Sequence, residues 1–433
     1  MRKFAFVFLA CGALVLRAQD ASSSAPAQAP APNTNGNVFG SLASSLLQGD
    51  FVNYYAFASA VFNSTQQVLG GGSGGAGISL GGGIDISKHT ASSVLALNYR
   101  GDFRDYANGP SGTGTDQYLS LVYSRRLGRR WSISFSDSAG ILFYNTAYYP
   151  NLNTGGVNNN PFSPSTRFLS SGVFLTYQQT RRLSYTIGGD FFLSRYSYPG
   201  AIGSIGGIES ASVAYQLTER TSIGGTYSHD NFYFQQHAGT TDIDGGYFNV
   251  KHLFGRDWNV HASAGLTEAH TYGIITTPVS VILGGRPVTI GYITGPYDTR
   301  ALVPTFDGGV TRRFRTFSLS ANAGRGVNPG NGTYLTSSHT YFGGSASKPL
   351  HASVISGNFF YSRVTSIANQ VSQAYTQNSF AISYSRILMP HLSVYGTYQY
   401  LRYGTLGTYG SSSDNVFIFG VSFSSKNLPL SLP

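Results

Sequence analysis

Four charged side chains lie in segments where apolar and polar residues alternate. Arg100, Asp102 and Arg104 are spaced two residues apart, so they share one face of an extended chain, opposite the large apolar residues of that segment. Asp190 holds the same position relative to its apolar neighbours. Charges on the face turned away from an apolar surface predict an enclosed polar space, where they would bias the passage of ions. Ion pairing along the wall, without any effect on passage, is the equally open alternative.

Five histidines in the middle third of the chain are candidates for catalytic or metal-binding groups. They are His229, His237, His252, His261 and His270. A hydrolase would need one of them beside a hydroxyl nucleophile and an orienting polar group, and no spacing selects such a trio. No pair has the close spacing usual for metal ligands. The sequence therefore favours a protein that is not an enzyme and has no metal or other cofactor, with a membrane hydrolase as a minor alternative.

Two further patterns have ordinary structural explanations. The glycine runs at 70–75 and 81–83 are not followed by the Lys and Ser or Thr, or by the helix, that a phosphate-binding loop requires. Basic residues cluster in turns and are not interleaved with aromatic residues on one platform. We therefore expect flexible or closely packed glycines, and no nucleic acid among the partners.

Composition indicates what surrounds these residues. Only 11% of the residues are charged, whereas the chain has 54 Gly, 30 Tyr and 29 Phe. Soluble globular chains usually carry about 25% charged residues. Much of the outer surface should therefore border something other than water. Beyond the N-terminus no apolar stretch has the length that a membrane-spanning helix needs, so a closed β-barrel is the remaining way to cross a bilayer.

The first nineteen residues resemble a secretory signal peptide. A basic start at Met1–Lys3 precedes an apolar stretch at Phe4–Leu16 and a cleavage region near Ala18. The single cysteine, Cys11, lies inside this segment, so the mature chain should have no disulfide; lipid attachment at Cys11 is a minor alternative. Removing three of the 28 basic residues leaves 25 against 18 acidic residues, a mature net charge of +7. Residues 20–50 predict a disordered periplasmic lead-in.

From residue 51 onward the chain divides into segments of alternating polarity. In the last of these, Phe417, Phe419, Val421 and Phe423 alternate with small or polar residues. A β-sandwich would show the same period, so alternation alone does not identify what lies on the apolar side. The low charge and the connections described next favour a membrane barrel.

Short and long connections alternate along the chain. Eight short turns, nearly all with Arg or Lys, lie at Ser87–Thr90, Arg126–Arg130, Thr180–Arg182, Thr218–Thr221, Phe254–Asp257, Arg312–Arg315, Lys348–Leu350 and Arg386–Pro390. Longer Gly-, Asn-, Pro- and Ser-rich connections separate them. Short turns on one rim and long loops on the other are typical of outer-membrane barrels. Eight hairpins, a closing segment and an opening segment at Phe51–Phe62 predict an all-β, antiparallel up-and-down barrel of about eighteen strands over residues 51–424, with sixteen as the alternative and 425–433 as a tail.

Two local features are less regular. Thr271–Pro304 contains two strand-like runs, which should form a β-hairpin that either narrows the pore or extends the wall. The residues assigned to this possible constriction are Val281, Gly284, Gly285, Arg286, Pro287 and Ile290. In the strand after Trp131, strict alternation directs Asp137 toward lipid, where a charge is costly, so we expect a bulge before it.

Taken together, these features resemble the porin-type outer-membrane barrels of Gram-negative bacteria, at the level of the class and over about Phe51–Ser424. The resemblance implies passive diffusion of small polar solutes, contact with outer-membrane lipid, and recognition of a closing aromatic residue, here Phe423, by the barrel-assembly machinery. It also implies a possible homotrimer. A barrel plugged from inside, serving as a surface anchor or binding platform, is the alternative of a different class.

Overall fold

The computed structural model describes residues 50–64, 75–107, 113–142, 165–197, 202–255, 257–283, 286–329, 335–367, 374–406 and 411–425. These ranges contain eighteen β-strands and a single 3-10 turn at Gln235–His237. The strands are β1 Phe51–Asn63, β2 Gly75–His89, β3 Ser93–Tyr106, β4 Thr113–Arg126, β5 Trp131–Leu142, β6 Thr166–Gln178, β7 Leu183–Tyr196, β8 Ser204–Thr218, β9 Thr221–Phe234, β10 Gly239–Phe254, β11 Trp258–Leu283, β12 Arg286–Arg313, β13 Ser318–Pro329, β14 Thr336–Pro349, β15 Ser353–Ser366, β16 Ala374–Met389, β17 Leu392–Leu406 and β18 Ser411–Ser424.

The strands form one closed antiparallel sheet. Each pairs with its neighbours in sequence, and β1 pairs with β18 from Tyr55 opposite Ser424 to Asn63 opposite Val416. Closure gives the backbone groups at both ends of the sheet a partner, which a barrel requires in lipid. The prediction of an eighteen-stranded up-and-down barrel is confirmed, and the alternative of sixteen strands is wrong.

The eight predicted short turns all join neighbouring strands at one end of the barrel, which we call the short-turn rim. The tightest are the two-residue turns at Glu219–Arg220 between β8 and β9 and at Pro390–His391 between β16 and β17. The opposite end, the loop rim, carries the other connections. These are not uniformly long, because only residues 235–238 separate β9 from β10.

The two faces of the barrel wall differ as the alternation predicts. Phe417, Phe419 and Phe423 are exposed on the outer face of β18, whereas Ser422 on the inner face is 4% exposed. Exposed outward rings recur around the barrel. A ring on a half-buried pleated surface favours the strand conformation, and alternation then places all such rings on one side. The result is an apolar outer surface around an interior rich in Ser, Thr and Asp.

The bulge expected before Asp137 is absent. The β4–β5 and β5–β6 ladders pass Asp137 without a shift of register, so its side chain stays on the outer face. Ser171, directly opposite on β6, donates a hydrogen bond to the Asp137 carboxylate. The carboxylate therefore stays on the outer face with a neighbouring hydroxyl as its partner, and no bulge turns it inward.

The predicted hairpin within Thr271–Pro304 is continuous with the wall. β11 and β12 pair with each other as far as Leu283 opposite Arg286. Val279 pairs with Gly291 and Ser280 with Thr289, so a bulge occurs beside Ile290. The segment is thus the shared outer end of two long strands of 26 and 28 residues.

At the loop rim the described pairing is interrupted between β12 and β13, whereas β14 stays paired with β15 up to Ser337 opposite Ser366. β12 pairs with β13 only between Phe306 and Arg313 in the described residues. Beyond that, Thr336 at the start of β14 lies with its hydroxyl oxygen 2.7 Å from that of Thr241 and 2.6 Å from that of Thr271. β14 is three strands away from β11, which corresponds to roughly 14 Å along a sheet. The tip of the β13–β14 hairpin must therefore bend inward against the inner wall of β10 and β11.

Candidate lumen and its inner wall

A charged network occupies the inner wall of β3 and β4. Arg104 Nη2 lies 2.9 Å from Asp102 Oδ2 and 3.4 Å from Asp116 Oδ2, and Arg100 Nη2 lies 3.8 Å from Asp102. Asp102, Arg104 and Asp116 are each 5% exposed. The Ser79 hydroxyl donates to Asp102 from β2 at 3.2 Å. Three of the four charged residues selected from the sequence therefore lie together and form ion pairs.

Local sequence explains why this network is well packed. Arg100, Asp102 and Arg104 follow each other on the inward positions of β3, and the antiparallel register sets Asp116 directly opposite Asp102. The Arg100 guanidinium also lies 5.2 Å from the ring centre of Phe57 on β1, a cation–π contact. Charges of opposite sign at adjacent inward positions reduce the cost of burying each of them.

A second group of carboxylates, on β7 and β9, has a different environment. Asp190 and Asp230 each lie opposite Ile208 of β8 in the strand register, so two strand spacings, roughly 10 Å, separate their backbones. Within the described residues neither forms an ion pair. We call this pair the acidic arc. Asp190 was selected from the sequence and Asp230 was not, although alternation with the outward Tyr227 and Tyr233 would have identified it.

Space for the acidic arc comes from glycine. Gly172 of β6 lies directly opposite Asp190, and a Cβ atom added at Gly172 would overlap the Asp190 carboxylate. The inward positions on either side of Asp190 along β7 are a second glycine, Gly188, and the buried Phe192. The Asp190 carboxylate is therefore packed along the wall by the residue that faces it.

Further inward polar groups lie on β11 to β15. His261 Nε2 is 3.5 Å from Asp307 Oδ1, and the Tyr341 hydroxyl donates to the same carboxylate. His339 Nε2 is 2.9 Å from Ser362 Oγ. No carboxylate contacts His339 among the described residues, so this pair is not a Ser–His–acid triad.

The remaining histidines singled out from the sequence are scattered. His229 and His270 lie on the outer face, where they contact Asp244 at 2.9 Å and Asp298 at 2.8 Å. His252 lies near the short-turn rim, 2.8 Å from the Thr221 hydroxyl, and His237 ends the 3-10 turn. The described residues contain no group of three or more possible metal ligands.

Toward the loop rim the inner wall becomes apolar. Buried aromatic and aliphatic side chains form a cluster that was not predicted, consisting of Tyr118, Leu142, Phe168, Phe192 and Phe232. The ring centres of Phe192 and Phe232 are 6.1 Å apart, and those of Tyr118 and Phe168 are 6.2 Å apart. We call it the inner aromatic cluster. At this end, large side chains and not small polar ones therefore form part of the inner wall.

The predicted constriction residues lie mostly outside the described part of the structure. Gly284 and Gly285 are not described, and only the backbone is described at Val281, Arg286, Pro287 and Ile290. A role for them in narrowing the pore stays a prediction.

Among the described residues no helix is long and apolar enough to cross a bilayer.

Three solved structures to which the chain is similar come from Pseudomonas. The chain is 12% identical to OccK2 (OpdF) of Pseudomonas aeruginosa, with 87% of this chain and 99% of that chain covered and a TM-score of 0.44. It is 9% identical to a BenF-like porin of Pseudomonas fluorescens Pf-5, with 87% and 98% covered and a TM-score of 0.44. It is 11% identical to the outer membrane protein OpdK of Pseudomonas aeruginosa, with 87% of this chain and 98% of that chain covered and a TM-score of 0.42. No protein-family model and no curated protein matches the chain.

At these identities and TM-scores the similarity gives no information on a transported solute. The barrel itself, with eighteen antiparallel strands closed through β1 and β18, has a porin-like architecture.

Proposed function

We propose that the protein is a channel of the Gram-negative outer membrane through which small polar solutes diffuse passively. The observation that supports this most directly is the sorting of residues on a closed wall. Large apolar side chains such as Phe419, Leu302 and Ile187 are exposed on the outside, whereas hydroxyl and carboxylate groups face inward. Hydrocarbon would cover the outer surface, and the enclosed interior offers polar groups to a hydrated solute.

Side chains near the short-turn rim suit a membrane interface. The Arg312 guanidinium lies 4.5 Å from the ring centre of Trp258 and 3.9 Å from that of Phe314. Trp131 and Tyr177 pair at 4.6 Å on the same rim. Aromatic rings beside cations are favourable where an apolar band meets anionic headgroups. We assign this rim to the periplasm and the loop rim to the cell surface.

A blocked barrel acting as a surface anchor or binding platform is the second candidate. The inward bend of the β13–β14 tip and the inner aromatic cluster favour it, because both fill space near the loop rim. If these elements stay in place, hydrated solutes would find no continuous path, and the long connections at the surface would carry the function.

Single-channel recording in planar bilayers separates the two candidates. Protein purified in detergent should add discrete, reproducible conductance steps to the membrane. Heat-dependent mobility on denaturing gels, performed on the same sample, would establish that the barrel is folded. A folded barrel that never yields conductance steps would contradict the channel and favour the anchor.

Export and assembly remain proposals of the same kind. We propose that residues 1–19 are removed as a signal peptide and that Phe423 is the aromatic residue recognised by the barrel-assembly machinery. Phe423 lies on the outer face of the last strand, with its ring centre 6.4 Å from that of Tyr54. A homotrimer is a further proposal, which analytical ultracentrifugation in detergent would test.

A further inference from the structure

The inner wall carries a net negative charge although the chain as a whole is basic, at +10. Strand alternation and pairing place seven carboxylates and three basic side chains inward among the described residues, leaving out the terminal residue of each strand. They are Asp85, Asp102, Asp116, Asp190, Asp230, Asp307 and Asp414, with Arg100, Arg104 and Lys251. From this distribution we propose that the channel prefers cations to anions.

The basic residues that raise the total charge lie elsewhere. Arg167 and Arg195 face each other across β6 and β7 on the outer face, and Arg363 and Arg402 are also exposed there. Most others lie in or beside the short turns. A charge outside the wall or at a wide rim acts on a permeating ion through more solvent and over a longer distance than one on the inner wall. Net charge of the chain is therefore a poor guide to the field inside.

The acidic arc contributes to this preference without a compensating cation nearby in the described part of the structure. Arg104 and Arg100 neutralise much of the field of Asp102 and Asp116 at distances of 2.9–3.8 Å. Asp190 and Asp230 have no such cation within the described residues. Their charges are left to attract mobile cations from the lumen, and rings or arcs of carboxylates produce cation selectivity in water-filled pores.

This inference rests on the proposed channel function, and reversal-potential measurements test it. Bilayers holding the wild-type protein in a KCl gradient should show a potential of the sign that indicates K⁺ preference. The double variant Asp190→Asn, Asp230→Asn keeps the shape of both side chains and removes both charges. We expect its K⁺ to Cl⁻ permeability ratio to fall by roughly fourfold, from about twofold for each carboxylate.

The matched control removes two carboxylates from the outer face of β10, as Asp242→Asn with Asp244→Asn. It should leave the permeability ratio unchanged, with heat-dependent gel mobility showing that both double variants are folded. Cl⁻ preference in the wild type, or equal shifts in the two double variants, would overturn the inference and leave the channel standing. Absence of conductance from all folded variants would overturn the channel itself.

Discussion

The inner walls of β3–β4 and of β7–β9 show how the same residue type can have two different consequences. Asp102 on β3 and Asp190 on β7 both occupy inward positions in the middle of a strand. Asp102 contacts two arginines and a serine, whereas Asp190 contacts no cation among the described residues and faces a glycine. Alternation decides that a carboxylate faces inward, and its cross-strand neighbours decide whether its charge stabilises the wall or reaches the lumen.

The difference has an energetic side. A buried ion pair contributes little relative to an apolar pair of the same shape, but loss of one partner leaves an uncompensated charge and is costly. On β3–β4 the arginines are therefore needed for stability, because they compensate the charge of the buried carboxylates beside them. On β7–β9 the two carboxylates form no ion pair among the described residues. Replacing them leaves no buried cation without a partner, so we expect little effect on the stability of the fold.

The largest expected effect is on stability at β3–β4. Arg104→Ala should lower the free energy of unfolding by about 3 kcal/mol, because Asp102 and Asp116 would stay buried without their closest cation. Urea unfolding in lipid vesicles, followed by the fluorescence of Trp131 and Trp258, measures this. Arg195→Ala, on the exposed outer face, should cost less than about 0.5 kcal/mol. Equal losses in the two variants would remove the distinction between paired and exposed arginines.

Gly172→Ala should have the next largest effect, because the added methyl group would overlap the Asp190 carboxylate. We expect a loss of about 1–2 kcal/mol from overpacking, measured by the same unfolding experiment. Gly207→Ala on β8 is the matched control, since its Cβ would meet only the Asp190 carbonyl oxygen at 3.7 Å. Greater stability in both alanine variants would mean that Asp190 is not held as described.

A third variant tests whether the acidic arc lies on an open path. Thr336→Val removes the hydroxyl that joins the β13–β14 tip to Thr241 and Thr271, at a cost of about 1 kcal/mol. Single-channel conductance should rise while the K⁺ to Cl⁻ permeability ratio stays the same. Thr186→Val, which breaks a 3.0 Å hydroxyl pair between adjacent strands, serves as the control and should leave conductance unchanged. A fall in conductance of the Thr336 variant would contradict a blocking role of the tip.

Asp190→Asn should have the smallest effect on stability, within about 0.5 kcal/mol of the wild type, because no cation loses its partner. Asp102→Asn is the corresponding variant at β3–β4, and it should be clearly less stable than Asp190→Asn. Unfolding curves of the two variants, recorded side by side, make the comparison direct. A large loss for Asp190→Asn would show that the acidic arc has a structural partner.

The sequence predicts those features that depend only on the two-residue alternation along a strand and on the turn at its end. Alternation along β18, and Arg- or Lys-containing turns such as Arg126–Arg130, predicted the strand number and the short-turn rim. Side-chain direction at Asp102 also followed from the period of two. Each of these depends on neighbours within one hairpin, so local pattern contains the information.

Other features depend on residues far apart in the chain. The contact of Thr336 with Thr241 joins β14 to β10, over 95 positions in sequence, so no local pattern indicates it. Phe232 and Phe192 fit the alternation, but their inward position becomes informative only when strands from different hairpins are placed side by side. At Asp137 the rule predicted a bulge, whereas the cross-strand Ser171 provides a partner without one. Register between hairpins is the missing quantity in all three cases.

The incomplete pairing of β12 with β13 has a consequence for how the protein meets other chains. A strand with one unpaired side is a template on which a foreign strand can add and start aggregation. The part of β12 that precedes Phe306, on the side of the loop rim, contains Pro296 and Pro304, which have no N–H group to donate. These two prolines interrupt the row of donors that an incoming strand would need, so the opening at the loop rim need not recruit a second chain.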